Sequence, residues 1–278
     1  MGRIFLSAGH NLGKGGVQSD PGAPTVLGTT ETNEMIKTRD LLVRELEFRG
    51  VKKDQDLFSV PDTIDLKSTL NWINDRARSG DVALELHGNA GPASARGAEI
   101  FYIDGNPQRK RDAELILNTL IEAVPGLRSR GAKPDTISQH ERGLAFCRQL
   151  RISSLLIELC FLSNDEDMKL LNEHRDKFAK GLADGLMKWS NQTGDIPDSF
   201  PSIDIEIKGQ IHQNKGILVN NNSFIPVDLV APLSIDLTKL PDARRLKHGN
   251  IDYVRAIDLQ QLNVSVAWDN QIKRLILN

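Results

Sequence analysis

Hydrophobic residues in the first 190 positions alternate between short apolar runs and longer stretches with helical spacing. The short runs predict strands at Ile4–Ser7, Val82–His87, Ala98–Ile103 and Ser154–Glu158. The longer stretches predict helices at Thr32–Arg49, Leu66–Ser79, Arg111–Val124, Leu144–Leu150 and Met168–Ser190. Strands separated by helices are typical of βαβ units. The sequence therefore predicts an α/β fold with a mostly parallel twisted sheet flanked by helices on both faces.

The pattern changes after residue 190. Residues 191–202 are polar and contain two prolines and a glycine, which predicts a linker after a first domain of residues 1–190. Residues 203–278 are expected to form a small β-rich accessory domain. Its strand-like runs are Ile203–Ile207, Gly216–Val219, Ser223–Val227 and Val264–Leu277, and its one helical stretch is Val254–Leu262.

Composition and charge exclude several classes of protein. The chain has 35 Lys and Arg against 37 Asp and Glu, whereas binding to nucleic acid or to an anionic membrane needs a basic surface. Membrane insertion is not expected, because no apolar run approaches the roughly 20 residues that cross a bilayer. The N-terminal residues do not predict a signal peptide. Cys147 and Cys160 are too few for a disulfide framework and are expected to be buried.

Polar side chains that can bind metal or transfer protons lie where predicted strands end. His10 follows the first strand, and His87 and Glu158 end two others. Because ligands of open α/β sheets bind outside the carboxyl ends of the strands, we expect these side chains at one edge. Glu31 begins the first long helix after a loop from that edge. Two imidazoles and one carboxylate, with a position left for water, are the ligand set of a catalytic zinc site, and a further carboxylate can act as general base.

Each of these residues also has a purely structural interpretation. A histidine at a strand end is commonly a hydrogen-bonded structural residue, and an acidic residue such as Glu31 stabilises the first turn of a helix. Glu158 can be an anion held by backbone N–H groups. A phosphate-binding loop in residues 9–16 is excluded, because three residues rather than four precede the Gly-Lys pair and neither Ser nor Thr follows it.

Four segments within residues 3–190, in the correct order, resemble the zinc-dependent N-acetylmuramoyl-L-alanine amidases of the Amidase_3 family, which cleave peptidoglycan. They are Leu6-Ser-Ala-Gly-His10 with Ser19-Asp-Pro-Gly-Ala23, Thr30-Glu31-Thr-Asn33, Leu86-His87-Gly-Asn89, and Leu156-Ile-Glu158-Leu-Cys-Phe-Leu-Ser-Asn164. The resemblance implies that His10, Glu31 and His87 bind Zn²⁺ and that Glu158 is the catalytic carboxylate. It also implies hydrolysis of the amide bond between N-acetylmuramic acid and L-alanine of the stem peptide by zinc-activated water, with Glu158 passing the proton to the departing amine.

The sequence departs from the family pattern at several positions. Glu85 stands where the family usually has a small residue, and it is expected either to act on His87 from outside the ligand set or to pair with an arginine. Glu34 is a rival of Glu31 as the acidic ligand. Cys160 replaces a usual glycine, and the segment before His10 is Ser-Ala-Gly rather than Asp-Pro-Gly.

The glycopeptide substrate is expected in a groove formed by the loops 88–97, 105–109 and 131–141. Arg96, His140 and Arg142, in or beside these loops, are candidates to bind a stem-peptide carboxylate, and each can equally be solvated surface. Two other functions remain open at this stage. One is a zinc peptidase acting on another wall peptide bond, and the other is a non-catalytic peptidoglycan-binding module, against which the intact set of four site residues argues.

Residues 203–278 loosely resemble the copper amine oxidase N-terminal-like domain, and no copper role follows. The resemblance lies in residues 217–227 and 264–269. Wall binding, capping of the substrate groove and homodimerisation through this domain all remain open. An amidase acts on the extracytoplasmic cell wall, so the absence of a visible signal peptide is compatible with a phage lysin, an injected effector or a trimmed secreted form.

Overall fold

The computed structural model describes residues 1–138, 142–192, 200–219, 222–240, 243–248 and 250–278. The chain divides into two compact units, Met1–Asp195 and Ile196–Asn278. Residues 193–199 of the predicted linker lie outside the described residues, as does His140.

A mixed six-stranded sheet forms the centre of the first unit as far as the structure describes it. Its strands are β1 (Ile4–Ala8), β2 (Leu57–Ser59), β3 (Val82–Asn89), β4 (Ala98–Tyr102), β5 (Ser129–Pro134) and β6 (Ser153–Phe161). The spatial order is β2-β1-β3-β6-β4-β5. The first four strands in this order are parallel, β4 is antiparallel to β6, and β5 is parallel to β4. The prediction of a mostly parallel sheet is confirmed.

Helices cover both faces of this sheet. They are α1 (Glu31–Phe48), α2 (Leu66–Arg76), α3 (Pro107–Ala123), α4 (Ala145–Gln149), α5 (Asp165–Glu173) and α6 (Arg175–Ser190). Alternation along β1 divides the core, because successive strand side chains point to opposite faces. Ile4 and Leu6 pack in the large core with α1, α3 and α6, whereas Phe5 packs with α2 and α4. The fold class predicted from the sequence is therefore confirmed.

The predicted helix Met168–Ser190 is wrong as a single element. Helix α5 begins earlier, because the Asn164 side chain accepts a hydrogen bond from the Asp167 backbone N–H at 3.0 Å and caps the helix. His174 then leaves the helical conformation, with φ −130° and ψ 29°, and separates α5 from α6. The sequence pattern also missed β2, which has three residues, and β5, whose sequence is polar and contains glycine and proline.

The second unit is β-rich, as predicted. Its described strands are β7 (Ser202–Ile207), β8 (Gln210–Ile211), β9 (Gly216–Val219), β10 (Asn222–Pro226), β11 (Arg245–His248), β12 (Ile251–Arg255), β13 (Val266–Asp269) and β14 (Arg274–Leu277). The single strand predicted over Val264–Leu277 is wrong, because a turn divides it. The Asp269 carboxylate accepts the Gln271 N–H in that turn at 2.8 Å, and Lys273 has a φ of 54°.

The helix predicted over Val254–Leu262 is wrong in its first two residues. These residues finish β12, and the remainder is a 3₁₀ helix, Ala256–Leu262. A second 3₁₀ helix of the same length, Val227–Leu233, follows β10. Both helices end at a residue in the left-handed conformation, Ser234 or Asn263. Among the described residues, no helix combines the length and the apolar character needed to cross a bilayer.

Candidate metal centre

Three strands and one helix of the first unit bring the sequence-predicted site residues together. His10 follows β1 and has a φ of 66°, which turns the chain at the edge of the sheet. His87 on β3 and Glu158 on β6 are register partners in adjacent strands. Glu31 is the first residue of α1 and is placed there by Thr30, whose side chain caps the helix. Both strands continue past their predicted ends, to Asn89 and Phe161.

The Glu31 carboxylate lies between the two histidines. Its Oε2 is 3.0 Å from His10 Nε2, and its Oε1 is 2.8 Å from His87 Nδ1. The backbone N–H groups of Ala23 and Gly88 donate to the same two oxygens at 3.0 and 3.1 Å. Burial alone would raise the pKa of Glu31, but the hydrogen bonds and charges of the two histidines outweigh burial and hold this pKa well below its usual range. Glu31 is therefore ionised and is held in a fixed orientation between the two imidazoles.

Each imidazole has a second carboxylate at its other nitrogen. Asp20 Oδ2 lies 2.9 Å from His10 Nδ1, and Glu85 Oε2 lies 3.5 Å from His87 Nε2. Burial lowers the pKa of both histidines, but the neighbouring carboxylates outweigh burial and raise both above the ordinary histidine value. Carboxylates in this position orient metal-binding histidines and increase their basicity.

The three side chains fit a zinc ion by their chemistry. In the part of the chain that the structure describes, His10, Glu31 and His87 form the one group of three such residues whose ligand atoms all lie within 4.8 Å of one another. Imidazole nitrogens and a carboxylate oxygen are ligands that Zn²⁺ takes in catalytic sites, where three protein ligands leave one position open. The donor set is therefore that of a catalytic rather than a closed structural site.

Glu158 is half-buried as a residue, and one of its carboxyl oxygens is fully buried. Its Oε2 has no hydrogen-bond partner among the described residues. Burial, together with the charges of Glu31 and Glu99, outweighs the positive charge of the histidines and raises the pKa of Glu158 to about 7. A buried polar atom without a partner is costly, and a perturbed carboxyl in a cleft is typical of a proton-transferring group.

The other acidic candidate, Glu34, lies away from this cluster. It pairs with the buried Arg175 and lies 2.8 Å from Lys37 Nζ. Among the basic candidates for substrate binding, Arg96 pairs with Glu166 and Asp167. Arg142 is exposed.

A second polar cluster lies beside Glu158. Sequence reasoning assigned no role to its members Glu99 and Arg130, and it placed Lys133 in a substrate-groove loop, whereas the structure places Lys133 in strand β5. Glu99 on β4 accepts hydrogen bonds from Asn89 Nδ2 at 2.9 Å, Arg130 Nε at 2.6 Å and Lys133 Nζ at 2.5 Å. Arg130 and Lys133 lie on β5. The hydrophobic pattern did not reveal this strand, because it has no apolar run and none of its residues is buried. Two basic residues three positions apart were the available signal in this segment.

The chain has an α/β fold, and a His–Glu–His cluster that could hold a metal ion lies at the edge of its sheet. Residues 4–188 match the family profile of the N-acetylmuramoyl-L-alanine amidases, Amidase_3. This match covers more than half of the chain, and the chain belongs to that family.

Known relatives agree with this assignment. The probable cell wall amidase LytH of Staphylococcus epidermidis is 24% identical over 191 residues, which cover 67% of this chain and 57% of the relative. The chain thus matches little more than half the length of that relative. The solved catalytic domain of CwlV, an amidase from Bacillus (Paenibacillus) polymyxa, has a TM-score of 0.55 at 21% identity, covering 69% of this chain and 99% of that chain. CwlD of Clostridioides difficile, solved in complex with the GerS lipoprotein, has a TM-score of 0.55 at 23% identity with the same coverages.

Proposed function

We propose that this protein is a zinc-dependent N-acetylmuramoyl-L-alanine amidase that hydrolyses the amide bond between N-acetylmuramic acid and L-alanine in peptidoglycan. Family membership supports the substrate and the bond. One structural observation carries the mechanism. The Glu158 carboxyl has a buried oxygen without a partner among the described residues, and it stands in register beside His87 of the His10–Glu31–His87 cluster. Because family membership supports the substrate, the proposed substrate is the glycopeptide of peptidoglycan, and the proposed site of action is the extracytoplasmic cell wall.

In this proposal, His10, Glu31 and His87 hold the zinc ion. When bound, zinc polarises the scissile carbonyl and makes water more acidic, so that a nucleophile is available near neutral pH. Asp20 and Glu85 hold the remaining imidazole nitrogens and keep both rings oriented.

Glu158 moves the proton. Its carboxylate accepts a proton from the attacking water and then donates that proton to the nitrogen of L-alanine as the amide bond breaks. Without a bound ion the pKa of Glu158 is raised to about 7, and a raised pKa suits both roles, because the group is a strong enough base to take the proton and a strong enough acid to return it. Burial supplies this pKa, since the cleft withholds the water that would stabilise the charged form.

Mass spectrometry of a purified peptidoglycan digest tests the proposed function. We expect stem peptides with a free L-alanine amine, and glycan strands that retain intact muramic acid. New amines at a peptide bond within the stem peptide would instead identify a zinc peptidase. Binding to peptidoglycan without any soluble product would identify a non-catalytic module.

Residues 203–278 lie outside the family match, and their roles remain predictions. These roles are wall binding, capping of the substrate groove and homodimerisation. The likeness to the copper amine oxidase N-terminal-like domain and the domain limits at residues 190 and 203 also remain predictions.

The Glu85→Gln variant is expected to bind zinc about 10- to 100-fold more weakly, which is the usual effect of losing a residue that orients a metal-binding histidine. Glutamine preserves the side-chain volume and can still accept the hydrogen bond that Ser7 Oγ donates to Glu85 at 3.1 Å. It removes the negative charge that faces His87. Competition with a chelating dye measures the affinity, and the unfolding temperature of the metal-free variant shows whether the fold is kept. An unchanged zinc affinity would show that Glu85 does not act on His87.

A further inference from the structure

Arg130 and Lys133 form a pair of cations beside the candidate catalytic carboxyl. Both donate to the same oxygen of Glu99, Oε2, at 2.6 and 2.5 Å. The Glu99 side chain is only 6% exposed, whereas those of Arg130 and Lys133 are 36% and 26% exposed. The carboxylate is thus buried beneath two cations that reach the solvent.

The sheet places Glu99, and with it Arg130 and Lys133, beside Glu158. Glu99 on β4 and Glu158 on β6 are register partners, and cross-strand partners project from the same face of a sheet. One cleft is lined by Arg130 and Lys133 together with His10, His87 and the carboxyl groups of Glu31, Glu99 and Glu158. We call it the basic cleft after its two cations.

The two cations are held in place and are not neutralised by Glu99 alone. Arg130 and Lys133 carry two positive charges, whereas the Glu99 carboxylate that both contact carries one negative charge. The Arg130 guanidinium lies over the Phe161 ring, 4.8 Å from its centroid, which fixes the plane of the group. Arg130 uses Nε for Glu99, so its two terminal nitrogens have no recorded partner among the described residues. The N–H groups of these two terminal nitrogens lie in one plane, and their spacing matches the two oxygens of a carboxylate.

A second cleft at the two histidines has no lysine or arginine among its described lining residues. It shares His10 and His87 with the basic cleft, but Asp20 and Glu85 contribute its charged groups. Its apolar wall includes Leu66 and Phe146. Carboxylates repel an anion, and an apolar wall with few polar groups suits a neutral ligand.

We propose that Arg130 and Lys133 form a subsite for a free carboxylate of the stem peptide. This inference rests on the proposed amidase function and adds the direction of the substrate. The stem peptide carries carboxylates, whereas the N-acetylated sugars next to the scissile bond are neutral. The peptide therefore lies in the basic cleft and the muramic acid side in the other cleft, with the scissile amide between them. Glu99 is a positioning residue that holds both cations.

Two synthetic substrates test the subsite: a muramoyl tetrapeptide with free carboxylates, and the same molecule with those carboxylates amidated. The wild-type protein is expected to prefer the free acid. Arg130→Gln and Lys133→Gln are each expected to lower kcat/KM for the free acid by about 10- to 100-fold, the effect of losing one charge-assisted hydrogen bond. The amidated substrate should change by less than about 3-fold, because it offers no charge to these residues.

Lys110→Gln is the matched control, because it removes the same charge from an exposed residue of α3 that pairs with Glu114. It is expected to leave the ratio of the two kcat/KM values unchanged. Glu99→Gln is expected to reduce the preference for the free acid, since the two cations lose the carboxylate that positions them. A general structural defect lowers both rates and leaves their ratio unchanged.

Two results separate the subsite from the function. Equal losses on both substrates in Arg130→Gln and Lys133→Gln, or an unchanged ratio in both, would overturn the subsite and leave the amidase function standing. Failure of the wild-type protein to release alanine amines from either substrate would overturn the proposed function, and the subsite with it.

Discussion

Glu158→Gln is expected to lower the rate of peptidoglycan hydrolysis by about 10²- to 10⁴-fold, the usual contribution of a general acid–base residue. Glutamine has nearly the same volume as glutamate, and the Glu158 Oε2 atom has no hydrogen-bond partner among the described residues that the change would break. The variant is therefore expected to fold and to bind zinc as the wild-type protein does. Release of soluble stem peptide from purified sacculi measures the loss of activity.

The pH profile identifies the role of this residue. Glu158 must be ionised to accept a proton, and burial raises its pKa from 4.5 to about 7. The wild-type kcat/KM is therefore expected to fall as the pH decreases through the range in which this carboxyl becomes protonated. The positive charge of a bound ion lowers the midpoint of that fall. In Glu158→Gln the residual rate should no longer follow this titration.

Glu173→Gln is a suitable control, because Glu173 is exposed at the end of α5. It makes the same chemical change outside the cleft and should retain full activity. Full lytic activity in Glu158→Gln, or a zinc affinity as low as that of a variant lacking a ligand, would contradict the role given to Glu158.

The sheet and the metal-site cluster could be predicted from the sequence because both depend on local patterns. The apolar residues of β1, β3 and β6 form buried runs, and a parallel arrangement places residues that follow such runs at one edge. His10, His87 and Glu158 are of this kind. The start of the first long helix indicated Glu31 or Glu34, and only the resemblance to the amidase family favoured Glu31.

The second polar cluster could not be predicted in the same way. Strand β5 has the sequence Ser-Arg-Gly-Ala-Lys-Pro, which offers no apolar alternation, and it is held in the sheet by pairing with β4. Only that pairing places Arg130 and Lys133 against Glu99. The strand predicted over Val264–Leu277 and the helix predicted over Met168–Ser190 were wrong because the apolar pattern continues where the element ends. A turn at Asp269 divides the strand, and His174 leaves the helical conformation.

Removal of metal by a chelator is expected to abolish activity, with a loss of at least about 10³-fold, and added Zn²⁺ should restore it. The reason is the donor set, because two imidazoles and one carboxylate bind Zn²⁺ well, whereas Mg²⁺ and Ca²⁺ prefer oxygen ligands. Neither Mg²⁺ nor Ca²⁺ should therefore rescue the chelated protein. Metal analysis of the purified protein and a lysis assay give the two measurements. Full activity in a protein shown to be metal-free would contradict the zinc mechanism.

Metal removal is also expected to lower the Tm of the first unit, and the second unit serves as an internal control. His10, Glu31 and His87 all lie in Met1–Asp195 and none lies in Ile196–Asn278. Free zinc at a thousand times its Kd stabilises the folded state by about 4 kcal/mol. For a unit of this size that raises Tm by about 8–16 °C, at roughly 2–4 °C per kcal/mol. Calorimetry of the intact chain should show this shift for the first unit, while any separate transition of the second unit stays in place. Without metal, the ionised Glu31 still faces two histidines whose pKa values are raised, so the charges of the site compensate one another. The metal-free first unit is therefore expected to be folded below its own, lower Tm.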